Sequence, residues 1–243
     1  SESLEPKALA QFINEYLTAM SLAIRNRRGT LDKYIGDAIM AFWGAPVDDP
    51  LHARQAVEAA LAMQAELARL NADFRARGWP QIKIGVGVNT GTMSVGDMGS
   101  KLRKAYTVMG DAVNLGSRLE GITKQYGVGV LVGEDTRRAV TDGVFREVDV
   151  VRVKGKDRPV AIYEPIAFEG QVEKGRLEEL KLWQQALKLY RAQNWDQAEL
   201  ALFNLQRMAP HDELYAIYAQ RVVALRGNPP GAGWDGVTTF ETK

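Results

Sequence analysis

The sequence predicts an α/β sandwich built on one mainly antiparallel sheet, followed by a small all-α appendage. Three observations predict it. Helical and strand-like periodicities alternate over residues 4–164 in the order helix, two strands, helix, strands, helix, strands. The strands come in short pairs punctuated by glycine, the signature of hairpins and therefore of antiparallel pairing. Near residue 168 the composition changes, and the pattern stays helical to about residue 226.

Residues 4–27 repeat Leu4, Leu9, Phe12, Ile13, Tyr16, Leu17, Met20 and Ile24 at helical spacing, and RNRRGT stops them. LDKYIGDAIMAFWG, residues 31–44, reads as two apolar strands about a Gly36–Asp37 turn. DDPLHARQAVEAALAMQAELARLNADFRARG has an acidic start, an early proline, an amphipathic body and a basic, Gly-terminated end, so it reads as a helix. IKIGVGVNTG, residues 82–91, alternates as a strand, and TMSVGDMGS continues as a Gly-punctuated hairpin. AYTVMG is a further strand running into the helix DAVNLGSRLEGITKQYG, with Asp111 as its expected N-cap and Gly127 as its stop. Strands over 128–132, 144–153 and 159–164 complete this part.

These readings divide the chain into a main domain at 1–167, a helical unit at 168–228 and an irregular tail at 229–243. In the helical unit Trp183, Tyr190, Ala198, Phe203 and Pro210 fall close to tetratricopeptide spacing. One such unit cannot bury its own face, so it must pack on the main domain or on a partner. Trp234 is the expected anchor of the tail.

Composition excludes several function classes. With 31 basic and 30 acidic residues, there is no general electrostatic case for a nucleic acid polymer or an anionic membrane. Any phosphate binding must come from a few placed residues. The absence of cysteine removes disulfides, thiolate nucleophiles and Cys-ligated zinc, and fits a reducing cytoplasm. His52 and His211 are the only histidines, which argues against histidine-based catalysis. No apolar run reaches the length of a membrane span. The chain opens on SESLEPKAL without an initiator Met and reads as an excised segment.

The familiar nucleotide loops fail. Gly85–Val86–Gly87 lacks the third glycine of a dinucleotide fingerprint, and Gly91 and Gly96 are followed by Asp97–Met98 where a phosphate loop needs Lys–Ser/Thr. AYTVMGDAVNLGSRLEG carries more. Asn114 and Arg118 are four apart, so they project from one helix face in the first two turns, where the positive helix end favours anions. An amide beside a guanidinium suits a sugar oxygen and a phosphoryl group together; an ordinary solvated helix surface is the alternative. For Lys33 and Asp37 the alternative is equally plain: a strand-edge lysine and a turn aspartate.

LDKYIGDAIMAFWGAP, GVGVNTGTMSVGDMGS, AYTVMGDAVNLGSRLEGITKQYG and VKGKDRPVAIYE resemble, in that order, the class III nucleotidyl cyclase catalytic domain over about residues 1–165. The resemblance implies a ferredoxin-like cyclase fold and an adenylate cyclase that works as a homodimer with shared sites. It implies two Mg²⁺ (or Mn²⁺) ions, with Asp37 as one metal carboxylate. Lys33 would read an adenine ring nitrogen, and Thr107 would help read the exocyclic amine. Guanylate cyclases of the family usually place Glu and Cys at those two positions. Asn114 would orient the ribose, Arg118 would stabilise charge on the α-phosphate, and Lys154 would neutralise the triphosphate. The helical tail resembles bacterial adenylate cyclases with an upstream sensor, which implies a cytoplasmic catalytic domain in a membrane-anchored protein. The family's other metal carboxylate lies on a first strand ahead of a helix that starts like SESLEP, so the chain reads as trimmed after it. A catalytically silent cyclase-like domain and a guanylate cyclase stay open as alternatives.

Overall fold

The N-terminal helix runs Pro6–Arg25 (α1) in the computed structural model, which describes residues 4–153 and 158–240. The hairpin follows as β1 (Thr30–Ile35) and β2 (Ala38–Phe42), paired antiparallel. Gly36 sits at φ +64° in their turn, in the left-handed region where glycine is unstrained. Next come α2 (His52–Ala76), β3 (Val86–Val88), β4 (Ser94–Gly99) and β5 (Lys104–Met109). Then follow α3 (Asp111–Tyr126), β6 (Val130–Gly133), α4 (Glu134–Ala139), β7 (Gly143–Val153) and β8 (Val160–Phe168). The chain ends with α5 (Lys174–Arg191), α6 (Trp195–Met208), α7 (Glu213–Gly227) and β9 (Thr238–Phe240).

The α/β architecture is as expected, but the described strands divide among three sheets rather than one. A five-stranded mixed sheet has the order β3-β6-β8-β7-β9, with β3–β6 and β7–β9 parallel and the two inner pairings antiparallel. The hairpins β1–β2 and β4–β5 each stand as a two-stranded sheet. The strand expected over 82–91 is paired only at Val86–Val88. Side chains of α2 take the backbone groups before it: Asn71 bonds both the N–H and the carbonyl of Ile82, and Gln64 donates to the carbonyl of Ile84. Asp111 is the first helical residue of α3 rather than its cap, which is Gly110, and Gly127 ends the helix at φ +65° as expected.

Strand β6 shows how the main sheet is covered. Val130 and Val132 pack with Ala53, Val57 and Ala60 of α2, whereas Leu131 packs with Leu119 and Ile122 of α3. Period-two alternation therefore sends neighbours to opposite faces, with α2 on one and α3 on the other. The α3 face also receives α5–α7, whose Trp183, Tyr190, Tyr215 and Tyr218 share one buried cluster with Val148, Val151 and Ile162. A bulge in β7 at Val148 disturbs its ladder with β8. Trp183 Nε1 donates to the Glu147 carbonyl at 2.7 Å, and Tyr218 Oη donates to the Val148 carbonyl at 2.8 Å. Trp234 packs edge-on against Tyr190, with ring centroids 5.3 Å apart, as its expected anchoring role requires.

Candidate active site

Helix α3 lies close against β3 because Gly85, just before the strand, and Gly87 within it permit the approach. A β-carbon on Gly85 would stand 2.0 Å from Thr123 Oγ1, and one on Gly87 would stand 2.1 Å from the Gly116 carbonyl oxygen. Just beyond the strand, Asn89 Nδ2 donates to the Ala112 carbonyl at 2.9 Å and fixes the first turn of the helix. That turn leads to Asn114, which is exposed, and to Arg118 one turn later on the same face. Arg118 is half-buried, and its Nη1 is fully enclosed without a hydrogen-bond partner among the described residues. An enclosed, unpaired guanidinium nitrogen is costly unless an acceptor arrives. An oxyanion bound at this face would satisfy it.

The hairpins supply a second group. The Lys33 side chain on β1 is 44% exposed, whereas the side chain of Asp32 beside it is 1% exposed. The Lys33 ammonium stands 3.3 Å from Asp32 Oδ1, within ion-pair range but not aligned as a hydrogen bond. Thr107, buried on β5, donates its hydroxyl to Asp32 Oδ2 at 2.5 Å. Thus one carboxylate joins Lys33 and Thr107, which come from two different hairpins. Neighbouring residues of a regular strand face opposite ways. Here the β1–β2 register slips between Leu31 and Lys33, so Asp32 is the extra residue of a bulge. Sequence reading passed over Asp32 for that reason: alternation turns it away from Lys33, and only its position next to a candidate pointed to it.

Asp37 occupies the exposed turn after Gly36. Among the described residues, Lys33 pairs with Asp32 and not with Asp37. The surroundings of Asp37 show in Tyr16 of α1: burial first, then the negative charges of Asp37 and Glu120, raise that phenol above its ordinary pKa. The two charged residues of the hairpin therefore have separate neighbours. Among the described residues, no three carboxylate, imidazole or thiol groups converge as a metal site. Asp37 alone does not fit two hard cations, each of which takes six or more oxygen ligands. Lys154 lies outside the described residues. No described helix is long and apolar enough to cross a membrane.

With this geometry in place, the likeness to known proteins has a structural meaning. Residues 1–164 match the family described as adenylate and guanylate cyclase catalytic domain. The chain is 38% identical over 167 residues to adenylate cyclase 1 of Rhizobium meliloti, covering 68% of this chain and 25% of that one. The chain spans between a tenth and a third of the length of the curated relatives it matches. Among solved structures it is similar to the adenylyl cyclase CyaB from P. aeruginosa, with TM-score 0.65 and 34% identity over 71% of this chain and 89% of that one. It is similar to the guanylyl cyclase Cya2 almost equally, with TM-score 0.64 and 30% identity over 71% and 87%.

Proposed function

The chain belongs to the adenylate and guanylate cyclase catalytic domain family, and from that membership we propose that it converts ATP to 3′,5′-cyclic AMP and pyrophosphate. The observation that carries the choice of ATP is the meeting of Lys33 and Thr107 at one carboxylate. In this reading the Lys33 ammonium donates to adenine N1, and Thr107 meets the exocyclic amine. Guanine presents the reverse pattern, a donor at N1 and an acceptor at its exocyclic oxygen. Asn114 holds the ribose, and Arg118, with its unpaired Nη1, takes the charge that grows on the α-phosphate.

The reaction needs no side-chain nucleophile. The 3′-hydroxyl of the nucleotide attacks its own α-phosphorus. The bond from 3′-oxygen to phosphorus forms as the bond to pyrophosphate breaks in line, and the hydroxyl proton is released. Positioning and charge stabilisation supply most of the catalysis in such transfers. Divalent ions belong to this reading, with Asp37 as one ligand. Since the described carboxylates do not complete a site, the steps here rest on the chain's own groups. The catalytic unit is a homodimer in which Asp37 serves one site, and Lys33, Thr107, Asn114 and Arg118 of the same chain serve the other. Residues 168–228 form a tetratricopeptide-like unit docked on the catalytic sheet.

The test is nucleotide choice, measured on the chain extended upstream through the strand that the resemblance implies. ATP is expected to turn over about 5- to 150-fold better than GTP, the effect of a misplaced hydrogen-bond partner worth roughly 1–3 kcal/mol in a buried pocket. Lys33→Glu with Thr107→Cys should move the preference towards GTP. Equal turnover of the two nucleotides would defeat the assignment.

A further inference from the structure

Asp32 touches both base-reading side chains, and its own side chain is 1% exposed. Its ionised carboxylate can only accept hydrogen bonds, whereas a threonine hydroxyl has one hydrogen to give and two lone pairs to offer. At 2.5 Å the Thr107 hydroxyl hydrogen is committed to Asp32 Oδ2. What Thr107 Oγ1 has left for a ligand is acceptor capacity. The other oxygen, Oδ1, holds the Lys33 ammonium at 3.3 Å, and that ammonium keeps free N–H donors. The bulge at Asp32 makes this arrangement possible, because it lets two adjacent residues address one cluster.

We propose that Asp32 is the positioning residue that sets the hydrogen-bond polarity of the purine pocket. By taking the Thr107 hydrogen and anchoring Lys33, it fixes one acceptor and one donor side by side. That pair complements the adenine edge, which offers an amine donor and a ring-nitrogen acceptor. It opposes guanine at both positions. Without Asp32 the Thr107 hydroxyl is free to rotate and donate to the guanine oxygen, so the discrimination at that position is lost. This inference rests on the adenylate cyclase reading above and adds the group that enforces it.

The experiment compares kcat/KM for ATP and GTP, and the affinities of their non-hydrolysable analogues, in the upstream-extended chain and in Asp32→Ala, which leaves the Thr107 hydroxyl no carboxylate to donate to. The ATP-to-GTP ratio is expected to fall about tenfold, as one buried hydrogen-bond preference is removed. The change should appear in KM and analogue affinity more than in kcat. Equal losses for both nucleotides, with the ratio intact, would mean that Asp32 only supports the fold; the adenylate cyclase reading would then survive while the inference falls. An unmodified chain without preference for ATP overturns both. Should Asp32→Ala fail to fold, Thr107 carries the test. Thr107→Ser keeps the hydroxyl that Asp32 takes and should keep the ratio, whereas Thr107→Val should lose about as much as predicted for Asp32→Ala. A Thr107→Val protein whose ATP-to-GTP ratio equals that of the unchanged chain overturns the proposal.

Discussion

A β-carbon on Gly87 would stand 2.1 Å from the carbonyl oxygen of Gly116 and 2.4 Å from the Glu120 nitrogen. The contact is between two backbones, β3 and α3, so no side-chain rotation relieves it. Gly87→Ala should therefore push α3 off the sheet and carry Asn114 and Arg118 with it. The expected loss is about 1–3 kcal/mol, the range for overpacking a core, read as a lower urea midpoint. Gly121 of the same helix meets nothing within 4 Å. There Gly121→Ala should stabilise by roughly 0.5–1 kcal/mol through helix propensity alone. Equal effects of the two substitutions would contradict the close packing.

Asp149, 1% exposed, ties the helical unit to the sheet. Tyr126 of α3, Arg221 of α7 and Thr238 of β9 all donate to its Oδ2, at 2.6, 2.8 and 2.7 Å. Arg221 also lies over the Tyr218 ring, 4.8 Å from its centroid. Arg221→Ala leaves a buried carboxylate short of its cationic partner and should cost about 3 kcal/mol. Because these contacts span one core, the tryptophan fluorescence, to which Trp183, Trp195 and Trp234 contribute together with Trp43 and Trp79, and the far-ultraviolet signal should both be lost in a single step at the same urea concentration. An earlier, separate transition of the helices would show that they are not coupled to the sheet.

Acid should remove a small, identifiable part of the stability. Arg77 bonds Glu15 through two nitrogens, at 2.9 and 2.6 Å, and holds its carboxyl down from the ordinary 4.5 to about 2. A carboxylate lowered in the folded state contributes above its unfolded pKa, and the contribution fades as pH falls towards the folded value. The pair is partly solvent-exposed, so its worth is at most about 1 kcal/mol after screening. The stability gap between the unchanged protein and Glu15→Gln should shrink between about pH 5 and pH 2. A gap that stays constant over that window would remove Glu15 from the account.

The shared-site dimer predicts complementation. Asp37→Ala and Arg118→Ala, each made in the upstream-extended chain, should each lose about 10²–10³ in rate, the scale of removing one charge-stabilising group. Mixing them gives heterodimers with one doubly damaged site and one site free of either change. Random pairing gives roughly half heterodimers with one working site in two, so about a quarter of full activity should return, against the near-complete loss in either mutant alone. A mixture that stays dead while subunits exchange would place a complete site in each chain.

Divalent ions should bind residues 1–243 weakly. Asp37 stands in an exposed turn, and no cluster of three ligating groups exists among the described residues. Titration calorimetry with Mg²⁺ or Mn²⁺ should show no tight site, and Asp37→Asn should change little. A micromolar site that depends on Asp37 would reveal oxygen ligands not recognised in this reading.

The sequence alone determined what short-range rules control. The Gly36 turn, the Gly127 stop and the amphipathic faces of α1, α2 and α3 each depend on a handful of adjacent residues. It also placed Asn114 and Arg118 together, since helical spacing is a local fact. Its misses have equally physical reasons. Helix α4 spans only Glu134–Ala139, too short for a period to register, and β9 forms because Thr238–Phe240 finds the open edge of β7. The junction of Lys33, Asp32 and Thr107 required a bulge and the approach of two hairpins. Those are decided by packing between segments far apart in the chain. Strand alternation, the only rule available to the sequence there, turns Asp32 away from Lys33; the slipped register in the tertiary structure brings them to one cluster.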